Sequence, residues 1–176
     1  MSFFSGLNFF VLLGFIFIPA VILGLLEKPL KYYRMIASIL IVGMVFGDNY
    51  TGIVYLLIFL LGELALIKGY LKLRTRGRNV LLYRSCLALS LIPLGFCKIS
   101  EVANFSVFQF LGISYLTFRV VQIIIEVYDN VIKEITISDY FDFILCFTTF
   151  SSGPIDRSRR YLADSHDKLN RAQYLE

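Results

Sequence analysis

Long apolar blocks separated by short polar stretches, most of them basic, organise this chain. The first block, 3–26, is long enough to cross the ~30 Å hydrocarbon core of a bilayer. It holds 17 Leu, Ile, Val or Phe residues, which favour insertion by roughly 5–10 kcal/mol before polar costs. Asn8 and Pro19 subtract from that sum, and Pro19 predicts a kink rather than an end. The second block, Met35–Phe46, is short for a span unless it borrows Tyr32 and Tyr33 and tilts. Tyr50–Ile67, Val80–Cys97 and Phe105–Val127 each have the length and apolarity of a span. The sixth block, Tyr140–Ser152, has thirteen residues, too few to cross. The pattern predicts an all-α polytopic membrane protein. It has about five transmembrane helices, a short re-entrant or tilted element, and a cytoplasmic surface helix over Leu162–Glu176. No internal repeat or linker divides residues 1–176, so they read as one domain or part of one.

The charges between the blocks set an orientation. Lys28, Lys31 and Arg34 follow the first block, and Lys68, Lys72, Arg74, Arg76 and Arg78 follow the third. Basic loops stay in the cytoplasm, which puts the Gly47-Asp48-Asn49 turn and the amino terminus outside. Residues 1–10 carry no Lys or Arg, so the first block does not read as a cleavable signal. Counting crossings places the loop before the sixth block inside. Arg157, Arg159, Arg160, Lys168 and Arg171, after that block, also favour the inside. Both hold if residues 140–152 enter and return.

Composition narrows the chemistry. Hydrophobic residues are 57% of the chain and charged ones 17%, which excludes an ordinary soluble domain. The net charge of +4 is small, and nucleic acid is not an expected partner. Cys86, Cys97 and Cys146 stand alone inside apolar runs and read as packing residues. There is no Gly-x-Ser-x-Gly, P-loop, dinucleotide fingerprint or metal-ligand spacing. The single histidine, His166, lies in a polar stretch beside Asp164 and Asp167 and reads as an exposed helix residue. No base is paired with a nucleophile, so no catalytic residue and no metal ligand is assigned within the chain.

The fifth block is the most informative. Tyr115, Arg119, Gln122, Glu126 and Asp129 recur at spacings of four, three, four and three, an arc of about 80° at 100° per residue. A lipid-facing Arg119 would cost roughly 2.5–3.5 kcal/mol or more, so this stripe faces other helices or a polar cavity. It serves either as a structural ion-pair and hydrogen-bond network or as the wall of a substrate tunnel. Glu63 and Arg84 lie near the inner ends of their blocks and are expected to snorkel, with a pair between them a further option. Thr136 or Ser138 is expected to cap the next helix, with Asp139 in capping-box position.

A backbone break follows the sixth block. Gly153-Pro154 interrupts any helix, and broken backbone beside an apolar run must be buried in protein or line a wet cavity. Phe147-x(5)-Gly153-Pro154-Ile155-x-Arg157 resembles a signature of the membrane-bound O-acyltransferase family. Gly112-Ile113-Ser114-Tyr115-Leu116-Thr117-Phe118 resembles a second motif of that family. The Asp156-Arg157-Ser158-Arg159-Arg160 run is most similar to the Gram-positive branch acting in D-alanylation of teichoic acids. The resemblance covers the whole chain but only the amino-terminal part of the family's length.

That resemblance implies an acyltransferase. D-alanine arrives as a thioester on the 4′-phosphopantetheine arm of a cytoplasmic carrier protein and passes toward teichoic or lipoteichoic acid outside. Other membrane proteins of the same pathway and membrane lipids are the further partners implied. The family's catalytic histidine lies downstream of the Gly-Pro motif in an apolar setting that His166 does not match, so the role is not carried onto it. Tyr115, Arg119, Gln122 and Glu126 would shape a substrate tunnel, and Ser151, Ser152, Gly153 and Pro154 its inner mouth. Arg157, Arg159 and Arg160 would meet phosphates of the carrier arm or of lipids, or serve only as a positive-inside anchor. The alternative is a D-alanine export transporter or channel subunit with no acyl-transfer chemistry.

Overall fold

A computed structural model of the chain describes residues 7–26, 30–46, 49–75, 77–102, 112–146, 158 and 161. Among these residues there are six helices and no strand: α1 (Leu7–Leu25), α2 (Lys31–Phe46), α3 (Tyr50–Arg74), α4 (Val80–Val102), α5 (Ile113–Tyr128) and α6 (Ile137–Ile144). Two stretches, Tyr50–Arg74 and Val80–Ser100, are long and apolar enough to cross a membrane.

Local chemistry fixes where the helices begin. The Asn49 side chain accepts from the Gly52 backbone N–H at 3.0 Å and caps α3. That contact needs a glycine, because a Cβ at Gly52 would lie 2.9 Å from Asn49 Nδ2 and 3.0 Å from Phe46 Cδ1. Asn79 Oδ1 accepts from the backbone N–H groups of Leu81 at 2.9 Å and Leu82 at 3.2 Å, starting α4. Thr136 caps α6: its hydroxyl accepts from the Asp139 N–H at 3.1 Å and donates to Asp139 Oδ2 at 2.7 Å, so the capping pair expected from sequence forms.

Two boundaries differ from the sequence pattern. The fifth block does not run as one helix from Phe105, because Gly112 stands at the start of α5 with φ +87°, a left-handed conformation that glycine adopts without penalty. The 16 residues of α5 extend about 24 Å, less than a bilayer core. The third block continues past Ile67 to Arg74, because Lys68, Lys72 and Arg74 are good helix formers and suit a helix carboxyl end. α1 runs through Pro19. Next to the Phe15 carbonyl that Pro19 cannot serve, the Ile16 carbonyl accepts from the Tyr33 hydroxyl of α2 at 2.6 Å.

α5 is the centre of the packing and lies against α3, α4 and α6. Its Leu116, Val120, Ile123 and Ile124 are fully buried, together with Leu60 and Ile67 of α3 and Phe143 and Ile144 of α6. Between helices in a bilayer such side chains gain by van der Waals packing rather than by leaving water. The outward faces of α1 to α4 stay apolar, with Phe15, Ile36, Leu61 and Ile92 exposed, a surface that suits lipid rather than water. Cys86, Cys97 and Cys146 are buried and form no disulfide among the described residues.

The basic stretch after α3 packs against the carboxyl end of α5. Arg74 Nη2 donates to the Tyr128 carbonyl at 3.2 Å, and the Arg78 guanidinium lies 4.3 Å from the centre of the Tyr128 ring. Tyr83 stacks on Tyr128 with ring centres 4.1 Å apart. Lys31 and Arg34 of α2 reach Asp139 and Asp142 of α6. Asn49 follows the far end of α2, whose 16 residues rise about 24 Å.

Candidate functional site

The polar stripe on α5 turns inward. Arg119 is fully buried. Its Nε donates to the Tyr115 hydroxyl at 3.1 Å, and its Nη1 donates to the Phe143 backbone carbonyl. The guanidinium also lies 4.9 Å from the Tyr115 ring centre and 4.6 Å from that of Phe143. Phe143 is in the last turn of α6, where carbonyls lack helical donors and the dipole favours a cation. Arg119 is therefore a buried carboxyl-end cap for α6, supplied by a neighbouring helix. One turn on, Gln122 Nε2 donates to Glu126 Oε1 at 3.3 Å, and the Ser158 hydroxyl donates to Glu126 Oε2. Asp129, the last member of the stripe, is exposed.

Thus the structure brings Tyr115 to Arg119 and Gln122 to Glu126, and ties Ser158, inside the basic motif, to the same face. Ser151, Ser152, Gly153, Pro154, Arg157, Arg159 and Arg160 lie outside the described residues. So do residues 147–152 of the predicted re-entrant element, His166 and the surface helix over 162–176.

The sequence pattern did not reveal how α6 is held. This eight-residue helix is about 12 Å long and cannot cross a bilayer. It is fastened on several sides. Lys31 Nζ pairs with Asp139 Oδ1 at 2.5 Å. Arg34 makes a two-point fork to Asp142, Nε to Oδ1 at 3.0 Å and Nη2 to Oδ2 at 2.5 Å. The matching spacing, three residues on each helix, sets the two pairs one turn apart. Tyr140 Oη donates to the Leu60 carbonyl of α3 at 3.0 Å. Tyr161 donates to the Asp142 carbonyl at 3.1 Å, packs edge-on against Phe143 at 5.4 Å and receives the Arg34 guanidinium 4.6 Å above its ring. Burial pushes the Tyr161 phenol up from its ordinary value, which keeps it a neutral donor. Two residues of the motif region, Ser158 and Tyr161, are thereby anchored to α5 and α6.

Glu63 does not snorkel. It is 4% exposed, because α3 continues eleven residues beyond it and leaves no interface within reach. Arg84 is exposed and makes no ion pair with it. Among the described residues no group of His, Cys, Asp and Glu could hold a metal ion.

No family model matches the chain. The chain is 35% identical over 185 aligned residues to the teichoic acid D-alanyltransferase of Bacillus subtilis (strain 168), a match covering 100% of this chain and 47% of that protein. It is 34% identical to the protein of the same name from Streptococcus thermophilus, over 95% of the chain and 41% of that protein. With the teichoic acid D-alanyltransferase of Lacticaseibacillus rhamnosus the identity is 34%, over 89% of the chain and 40% of that protein. The chain therefore spans about half the length, or less, of the curated relatives it matches.

Proposed function

We propose that this chain is the amino-terminal part of a membrane-bound O-acyltransferase that moves D-alanine from a carrier-protein thioester toward teichoic or lipoteichoic acid. The observation carrying this reading is the similarity, at 34–35% identity, to three proteins named for that reaction, in the first case along the whole chain. The buried Arg119 supports it: a guanidinium enclosed in an apolar bundle is expensive unless it builds something. Here Arg119 holds α6 in place, and Glu126 and α6 hold Ser158 and Tyr161.

On this reading five helices cross the membrane, the amino terminus is outside, and Lys31, Arg34, Arg74 and Arg78 face the cytoplasm. Tyr115, Arg119, Gln122 and Glu126 form part of the wall beside the substrate route. Arg157, Arg159 and Arg160 meet the phosphate of the 4′-phosphopantetheine arm. The general base that takes the acceptor's proton comes from sequence outside this chain. The direct test is the D-alanine ester content of teichoic acid in cells whose only copy is the full-length gene, against cells carrying residues 1–176 alone. Esters with full length and none with the fragment are expected. No esters in either, with both proteins present in the membrane, contradicts the reading.

A further inference from the structure

The proposed reaction moves an acyl group that carries an ammonium, and an ammonium cannot be held in an apolar bundle without an anionic partner. The described acids are nearly all engaged or outside. Asp139 is paired with Lys31 and Asp142 with Arg34. Glu126 accepts from Gln122 and Ser158. Asp129 and Glu134 are exposed. Glu63 differs. It is 4% exposed, and its Oε2 has no hydrogen-bond partner.

The setting of Glu63 makes that open oxygen informative. It lies in the middle of α3, about 20 Å along the axis from Tyr50 and about 16 Å from Arg74. A buried acceptor left open there costs free energy unless something supplies a donor. The nearby phenol of Tyr140 does not, because it donates to the Leu60 carbonyl at 3.0 Å, one turn before Glu63. The same bond holds α6 against α3 beside the carboxylate, and α6 in turn carries the Phe143 carbonyl that Arg119 meets. We propose that Glu63 is a specificity site for the α-ammonium of the aminoacyl substrate, with an ammonium N–H donating to Oε2. This rests on the acyl-transfer reading above.

The test compares two carrier-bound acyl groups, D-alanyl and propionyl, which differ only in the ammonium. Full-length protein in membrane vesicles is supplied with each, and initial transfer rates are measured for wild type, Glu63→Gln and Glu63→Asp. Wild type is expected to favour D-alanyl. Glu63→Gln should lower the D-alanyl to propionyl ratio by about thirtyfold or more, with propionyl transfer retained as proof of folding, and Glu63→Asp should recover part of the ratio. An unchanged ratio in Glu63→Gln, or equal loss of both transfers, overturns the proposal. Absence of D-alanyl transfer in wild type instead overturns the acyl-transfer reading.

Discussion

Replacing Arg34 by methionine tests whether α6 is held by its ionic fork. The substitution keeps the aliphatic stem and removes the guanidinium that meets both carboxylate oxygens of Asp142, at 3.0 and 2.5 Å. The Asp142 side chain is fully buried, whereas that of Arg34 is 24% exposed. A buried carboxylate stripped of its counter-charge costs about 3–5 kcal/mol. Arg34→Met also removes the cation above the Tyr161 ring, worth about 0.5–2 kcal/mol at such sites. Asp142→Asn is milder, because the partly exposed Arg34 can regain water. The double variant Arg34→Met, Asp142→Asn should fall short of the sum of the singles by about 1–3 kcal/mol. The assay is the melting temperature of the full-length protein in mild detergent, followed by fluorescence-detected size exclusion. At roughly 2–4 °C per kcal/mol, the two losses together should melt Arg34→Met about 7–28 °C lower, and the double variant should recover part of that loss. Strict additivity, or an Arg34→Met protein as stable as wild type, would refute the reasoning.

Arg119→Leu removes the donors to the Phe143 carbonyl and the Tyr115 hydroxyl, leaving a buried acceptor open at about 1–3 kcal/mol each. It should lower both stability and D-alanyl transfer, with Arg119→Lys intermediate, and unchanged folding and transfer together would contradict the role given to this residue. Thr136→Ala removes the α6 cap and should cost about 1 kcal/mol, read as faster amide exchange over 137–141 with little change elsewhere.

Much of this architecture is written in the chain as blocks of hydrophobicity, and the reason is physical. Spans announce themselves by length and apolarity, and the block starting at Val80 begins where α4 does. The inward turn of Arg119 was legible because only one arc of its block is polar, and the Thr136–Asp139 cap because it is a local pattern. The break at Gly112 was not, because glycine takes left-handed and right-handed backbone alike and its neighbours stay apolar. The burial of Glu63 is hidden in the pattern, because its apolar block ends at Ile67 while helix-forming Lys68 to Arg74 carry α3 onward. The pairing of Lys31 and Arg34 with Asp139 and Asp142 joins residues 108 positions apart. Equal spacing of the two pairs is visible in sequence, but their meeting depends on how α2 and α6 pack.

The most direct test of the central claim uses full-length protein in sealed vesicles containing lipoteichoic acid, with carrier protein loaded with radiolabelled D-alanine on the cytoplasmic side. Label joined to the polymer through an ester that hydroxylamine releases is expected, with loss of that label when the protein is omitted. Free D-alanine crossing the bilayer with no ester formed would contradict it and leave a transporter in its place.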